Sequence, residues 1–130
     1  MKIAIATQRF EAVRGHIGKA TDWLLYDLSD HHSSRLLPAP TRVTLARDQI
    51  FHVFEDDRPH PLDGVDLIVG ASAGDSFIRH MRRRGAQVLL TAEADPTLAL
   101  TRILAGEALP GPGFDITTTL CKVRDLFSRH

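Results

Sequence analysis

Two apolar strand segments, each followed by an amphipathic helical segment, constrain this chain more than any other feature. The run VDLIVG at 65–70 is almost unbroken in apolar side chains, the pattern of a strand covered on both faces in the middle of a parallel sheet. After a short turn, Phe77, Ile78 and Met81 fall on one stripe of a helix that Asp75 can cap and Gly85 can end. The pattern then repeats. QVLLT at 87–91 is the next strand, and Asp95-Pro96 is a helix start, an N-cap followed by proline at the first helical position. That helix buries Leu100, Ile103 and Leu104 and ends at Gly106. Strand–helix units of this kind cross over right-handed and lay their helices on the sheet.

The earlier part of the chain reads differently. Residues 2–7 are a short buried strand, 8–19 a polar loop with glycines, and 23–28 (WLLYDL) an aromatic-rich strand. A polar turn at 30–34 leads into 35–45, where Pro38 and Pro40 cannot donate ladder hydrogen bonds and restrict the segment to a sheet edge. Together these predict a three-strand meander. Ile50, Phe51 and Phe54 fit a short helix within 48–57, and two prolines and a glycine break the chain at 58–64. A PGPG turn at 110–113 precedes a last helical segment capped by Asp115 and carrying Ile116, Leu120, Val123 and Phe127 on one stripe. The sum is an α/β chain, three layers around a mixed five-stranded sheet. The domain occupies 1–109, and 110–130 forms a C-terminal helical extension.

Charge excludes several functions. Sixteen basic residues balance sixteen acidic ones, so no basic footprint exists for wrapping a nucleic acid, and any anion site must be local. The single cysteine, Cys121, rules out an intrachain disulfide or a cysteine cage, and reads as helix packing. Nothing resembles a signal peptide or a membrane span, so a cytoplasmic protein is expected. Two-metal phosphoryl chemistry needs convergent carboxylates. The first strand has none, and Asp66 stands at the wrong end of its strand. A G-x-S-x-G elbow is also missing, so no hydrolase is expected.

Two segments can carry chemistry. The loop TQRFEAVRGHIGKA places Arg9, Arg14, His16 and Lys19 against one acid, Glu11, at the carboxyl end of a strand, where open α/β sheets bind ligands. Gly15 and Gly18 flank the histidine and permit close approach or positive φ. Imidazole is a good transition-metal ligand, while the plainer alternative is a solvated loop with a hydrogen-bonded histidine. The second segment, GASAGDSF at 70–77, joins a buried strand to a helix start and offers Ser72 and Gly74 toward an anion. Its alternative is tight strand-to-helix packing. His31, His32, His52 and His60 lack zinc-site spacing and read as surface or half-buried histidines without metal. The run Arg82, Arg83, Arg84 reads as a solvated helix end.

MKIAIAT followed by VRGHIGKA, then WLLYDL, then VDLIVGASAGDSFIRHMRRRGAQVLLT together resemble the dinitrogenase iron–molybdenum cofactor biosynthesis family over roughly 1–109. Its members include the NifX and NafY carriers and the C-terminal domain of NifB. The VRGHIGKA stretch is similar to the family's V-x-x-H-F-G-x-A motif, with Ile17 in place of phenylalanine. The resemblance implies a ribonuclease H-like fold. It also implies a non-catalytic carrier of the iron–molybdenum cofactor, its iron–sulfur precursor or a related metal–sulfur cluster. The motif histidine falls on His16, the implied metal ligand. Arg9, Arg14 and Lys19 would then supply charge, with Gly15, Gly18, Ser72 and Gly74 close to the cofactor. Nitrogenase or cofactor-assembly proteins would be partners, with no role for nucleic acid or membrane. A second expectation is a regulatory or scaffolding module without a cluster, contacting partners through Ile50, Phe51, Val53 and Phe54.

Overall fold

The strands of the meander and of the strand–helix units combine into one sheet. The computed structural model describes residues 1–28 and 38–105. The turn at 30–34, His31, His32, Gly106, the segment 110–130 and Cys121 lie outside them. Six strands form: β1 (Lys2–Gln8), β2 (Ala12–Val13), β3 (Asp22–Asp27), β4 (Thr41–Thr44), β5 (Leu67–Gly70) and β6 (Gln87–Leu90). Two helices accompany them, α1 (Asp75–Arg83) and α2 (Pro96–Leu104). The strand order is β4-β3-β1-β5-β6, with the two-residue β2 folded back on the end of β1. The pairs β1–β3 and β3–β4 are antiparallel, whereas β1–β5 and β5–β6 are parallel. The five-strand mixed path matches the expectation. The β2 hairpin was not expected, because its strand is too short to give an alternating pattern.

Alternation along each strand divides the core in two. Ala4, Ala6, Trp23, Ile68 and Val88 face α1 and Met81, whereas Ile3, Ile5, Leu24, Leu67, Val69 and Leu89 face Leu100 and Ile103 of α2. Helices on both faces make three layers. Register explains the small residues on β1: Ala6 stands directly opposite Trp23, whose ring needs that space. As the two prolines before it require, β4 is an edge strand, paired to β3 alone among the described residues.

The helix ends follow their sequence signals with one correction. Asp95 caps α2, its carboxylate accepting from the N–H groups of Thr97 (2.9 Å) and Leu98 (3.3 Å). At the end of α1, Gly85 takes φ +87°, and Ala86 N–H and Gly85 N–H close onto the carbonyls of Met81 and Arg82. Gly74, not Asp75, is the N-cap of α1. Asp75 lies in the first turn, where its charge suits the helix dipole.

The segment between β4 and β5 departs further. The expected helix is replaced by a single 3₁₀ turn, Arg47–Gln49, and irregular turns. Packing decides this: Phe51 and Phe54 are both buried, Phe51 in the α1-side core and Phe54 edge-on against His60, instead of lining a helix. Phe51 meets Trp23 and Phe77 edge-on, each with centroids 5.9 Å apart, and stacks on His60 at 4.4 Å. The apolar group expected to face a partner is therefore mostly internal, and only Val53 of the four is exposed. Arg84, the C-cap of α1, holds Asp56 and Asp63, and His80 of α1 holds the other oxygen of Asp56, pinning the segment to the helix.

His60 is also buried, not at the surface. Its Nδ1 accepts from Leu62 N–H (3.0 Å), and its Nε2 lies 2.7 Å from the Gln49 carbonyl. Both bonds form in the neutral tautomer protonated at Nε2. Burial pushes its pKa below the usual imidazole value, outweighing the opposing bond to Gln49. The unfolded chain therefore takes up this proton first as pH falls, so the stability contributed by neutral His60 is present above about pH 6.5 and lost below it. Denaturant midpoints measured between pH 7.5 and 5 should fall through this window, and His60→Gln, which cannot titrate, should flatten the fall.

Candidate functional site

The three parallel strands end on one rim of the sheet, and the β1–β5 pair is where chain connections diverge to the two sides. Open α/β sheets leave a crevice at such a place. Here the crevice lies between the loop after β1 and the turn after β5. His16, Lys19 and His52 line it, opposite Ser72, Gly74 and Ser76, in an open cleft of about 440 Å³. That volume falls within the range of small-ligand sites.

The loop after β1 is built around one apolar anchor. Ile17 is fully buried, and its side chain occupies the space above Gly70. A Cβ at Gly70 would lie 2.2 Å from Ile17 Cγ1 and 2.4 Å from Cδ1, so only glycine fits there. Backbone bonds fix the rest. Arg14 N–H donates to Ala6 (2.9 Å), Ala71 N–H to Arg14 (2.8 Å) and Ile17 N–H to Ser72 (3.0 Å). Ser72 Oγ accepts from His16 N–H at 2.8 Å. Loop and turn are thereby stitched into one wall.

His16 itself is in the left-handed region, with φ 53° and ψ 59°. The positive φ expected at Gly15 or Gly18 thus falls on the residue between them. Gly15 has a different reason to be small: its Cβ would press to 3.3 Å from Ser72 Oγ. With its neighbour Ile17 drawn inward and its own amide held, the His16 ring is left in solvent at the cleft mouth. Neither a hydrogen bond nor an ion pair engages that ring among the described residues.

The other expected site residues separate. Gly18, Lys19, Ser72 and Gly74 join His16 along the cleft. Arg9 occupies the turn of the β1–β2 hairpin, where it and Phe10 both have positive φ (56° and 64°) and Glu11 N–H closes onto Gln8. Arg14 is half-buried on the β1 side of Gly15. Neither arginine lines the cleft, nor does Asp75. Sequence reasoning missed His52. It reaches the cleft because the buried Phe51 anchors its segment and because its N–H donates to Gly18 O at 2.7 Å. An isolated histidine far from the motif gives no signal of this. Among the described residues, no group of three or more histidine, cysteine, aspartate or glutamate side chains could hold a metal ion alone.

The family model described as dinitrogenase iron-molybdenum cofactor matches residues 1–106. No curated protein is similar in sequence. Two solved structures share the fold. The crystal structure of PH0822 is 14% identical and superposes with a TM-score of 0.61, covering 82% of this chain and 93% of its own. The apo form of the orange protein from Desulfovibrio gigas is 16% identical, with a TM-score of 0.59, covering 86% and 93%. Among the described residues no helix is long and apolar enough to cross a membrane.

The seating of Ile17 on Gly70 sets an expectation for mutants. Gly70→Ala drives a methyl group into Ile17 and should cost about 1–3 kcal/mol, the usual penalty of overpacking. Combining it with Ile17→Ala removes the clash, so the double variant should be more stable than the sum of the single losses predicts. A double-mutant cycle by urea unfolding measures this; strict additivity would show that the two side chains do not compete for the space.

Proposed function

The chain belongs to the dinitrogenase iron–molybdenum cofactor family, and from that premise we propose that it binds and carries a metal–sulfur cluster without transforming it. The cargo in this reading is the iron–molybdenum cofactor itself, its iron–sulfur precursor or a related cluster. We take 1–109 as the carrier unit, with 110–130 an extension to it.

One observation carries the reading: the His16 ring stands in solvent at the mouth of a cleft with no protein partner among the described residues. A neutral imidazole in that state can offer a lone pair to an exposed metal of a bound cluster. Beside it, Lys19 can donate to the sulfur or oxygen atoms of an anionic cluster, and no acidic side chain among the described residues lines the cleft to oppose it. Arg9 and Arg14 lie on the same loop outside the lining and add positive charge at longer range. Gly18 and Gly74 keep the walls low enough for an inorganic guest to approach the backbone. Gly15 and Ser72 act one step back, holding the His16 amide. Partners that deliver or receive the cluster would be nitrogenase or its cofactor-assembly proteins.

Asp66 lies at the opposite end of β5, with Oδ2 accepting from Lys2 N–H at 2.9 Å. The scaffolding alternative loses its motivation, since Phe51 and Phe54 are spent in the core.

His16→Asn tests the assignment. Asparagine tolerates the left-handed conformation, so the loop should keep its shape. When iron–molybdenum cofactor is added anaerobically and excess removed by desalting, the parent should retain its visible absorption. The variant should bind more weakly by a factor of ten or more, since even an outer partner of a metal ligand contributes about that much. Equal retention by parent and variant would remove His16 as ligand.

A further inference from the structure

Four histidines fall among the described residues, and they divide into two pairs. His60 is buried with both ring nitrogens engaged, by Leu62 N–H and the Gln49 carbonyl. His80 is held by Asp56 through Nε2. The remaining two, His16 and His52, have solvent-exposed residues and rings that make no hydrogen bond, ion pair or ring contact among the described residues. Both line the same cleft, with Lys19. The division follows location: of the two with structural work, His60 is buried in the core beside Phe51 and His80 sits on α1, whereas the two without it line the crevice.

The two rings are also presented in the same way. His16 precedes the fully buried Ile17, and His52 follows the buried Phe51. In each case an apolar neighbour fixes the backbone and leaves the imidazole outside. The amide of His52 donates to Gly18 O at 2.7 Å, so its backbone is tied to the loop two residues beyond His16. The two segments are separated by the meander in sequence and joined by that bond in space. A structural role for the His52 side chain is not needed to explain any of this, because the bond belongs to its main chain.

We propose that His52 is a second ligand for the cluster, acting with His16 across the same cleft. The inference rests on the carrier reading. A single imidazole leaves a bound cluster free to turn about one bond. A second nitrogen donor from another segment fixes its orientation, and both can release it together when the cleft is engaged by a recipient. No proton or electron transfer is involved: each ring would offer a nitrogen lone pair to metal of the guest.

The test titrates isolated iron–molybdenum cofactor anaerobically into the parent, His52→Asn, His52→Gln, His16→Asn and the His16→Asn/His52→Asn pair. Binding is followed by visible absorption and by the electron paramagnetic resonance spectrum of the bound cofactor. Both His52 variants should bind about tenfold more weakly, or worse. The cofactor they retain should give an altered resonance spectrum, which a merely structural change would not produce. The double variant should not bind. If His52→Asn and His52→Gln match the parent in affinity and spectrum while His16→Asn fails, His52 is no ligand and the carrier reading stands. If all variants bind as the parent does, neither ring is a ligand, and this proposal fails together with the His16 assignment; if the parent itself takes up no cofactor, the carrier reading fails. Ring resonances of His52 in the unmutated, isotopically labelled protein give a check that needs no substitution. Cofactor must broaden or displace them, and unchanged resonances overturn the proposal.

Discussion

The seating of Ile17 over Gly70 is the contact on which the rim of this protein depends. It joins the loop after β1 to the end of β5, the two neighbouring parallel strands at the centre of the sheet. Burial of an isoleucine side chain is worth about 1.5–3 kcal/mol, enough to hold a loop whose other links are single backbone hydrogen bonds. Because Ile17 points down, its predecessor points up. The exposure of His16 is thus a consequence of packing and not of looseness. The same logic places His52 beside Phe51, and the bond from His52 N–H to Gly18 O joins the two constructions.

The site accepts some strain for this geometry. Arg9, Phe10 and His16 all adopt positive φ within eight residues of loop, conformations that glycine or asparagine take more easily. At the hairpin, the Phe10 ring is recovered as packing beside the α2-side core and beneath the Arg42 guanidinium, 5.0 Å from the ring centroid. At His16 no such return exists, since the ring touches no partner among the described residues. A strained residue without a packing return is a sign that its side chain is kept for something outside the fold. Histidine tolerates the left-handed region better than most residues, so the strain is modest.

Much of this architecture was legible because it follows from periodicity. The apolar runs at 65–70 and 87–91 could only be covered strands, and Asp95-Pro96 marked a helix start that the Asp95 hydrogen bonds realise. The segment from 46 to 63 was illegible for the opposite reason. Phe51, Phe54 and His60 are held by an aromatic cluster with Trp23 and Phe77, residues distant in sequence. No local pattern announces such a cluster, and the helical spacing of Ile50, Phe51 and Phe54 suggested an element that tertiary packing did not use. At the site, the motif pointed to His16, Gly18 and Lys19, because the loop is contiguous. It could not point to His52, which returns to the cleft only after β3 and β4, nor separate Arg9 and Arg14 from the lining, since that separation is made by the β1–β2 turn.

A chain of zero net charge can still offer an anion a favourable place, provided its acids are spent elsewhere. Asp48 and Asp57 pair with Arg58, Asp56 and Asp63 with Arg84, and Glu93 lies near Arg102. Exposed pairs of this kind add little to stability. Their effect on the field is larger than their effect on folding, because each pair cancels two charges locally. For Asp56, desolvation pushes the carboxyl up, but the His80 bond and the His80 and Arg84 charges outweigh this and hold it below the usual carboxylate range. Among the described residues that line the cleft, Lys19 is the one with a formal charge. Salt at physiological strength screens exposed charges beyond about 8 Å. A guest in the cleft therefore senses Lys19 and the open imidazoles first, and the balanced surface behind them hardly at all. Local neutralisation, more than any excess of basic residues, is what the proposed carriage of a negative cluster would draw on at this rim.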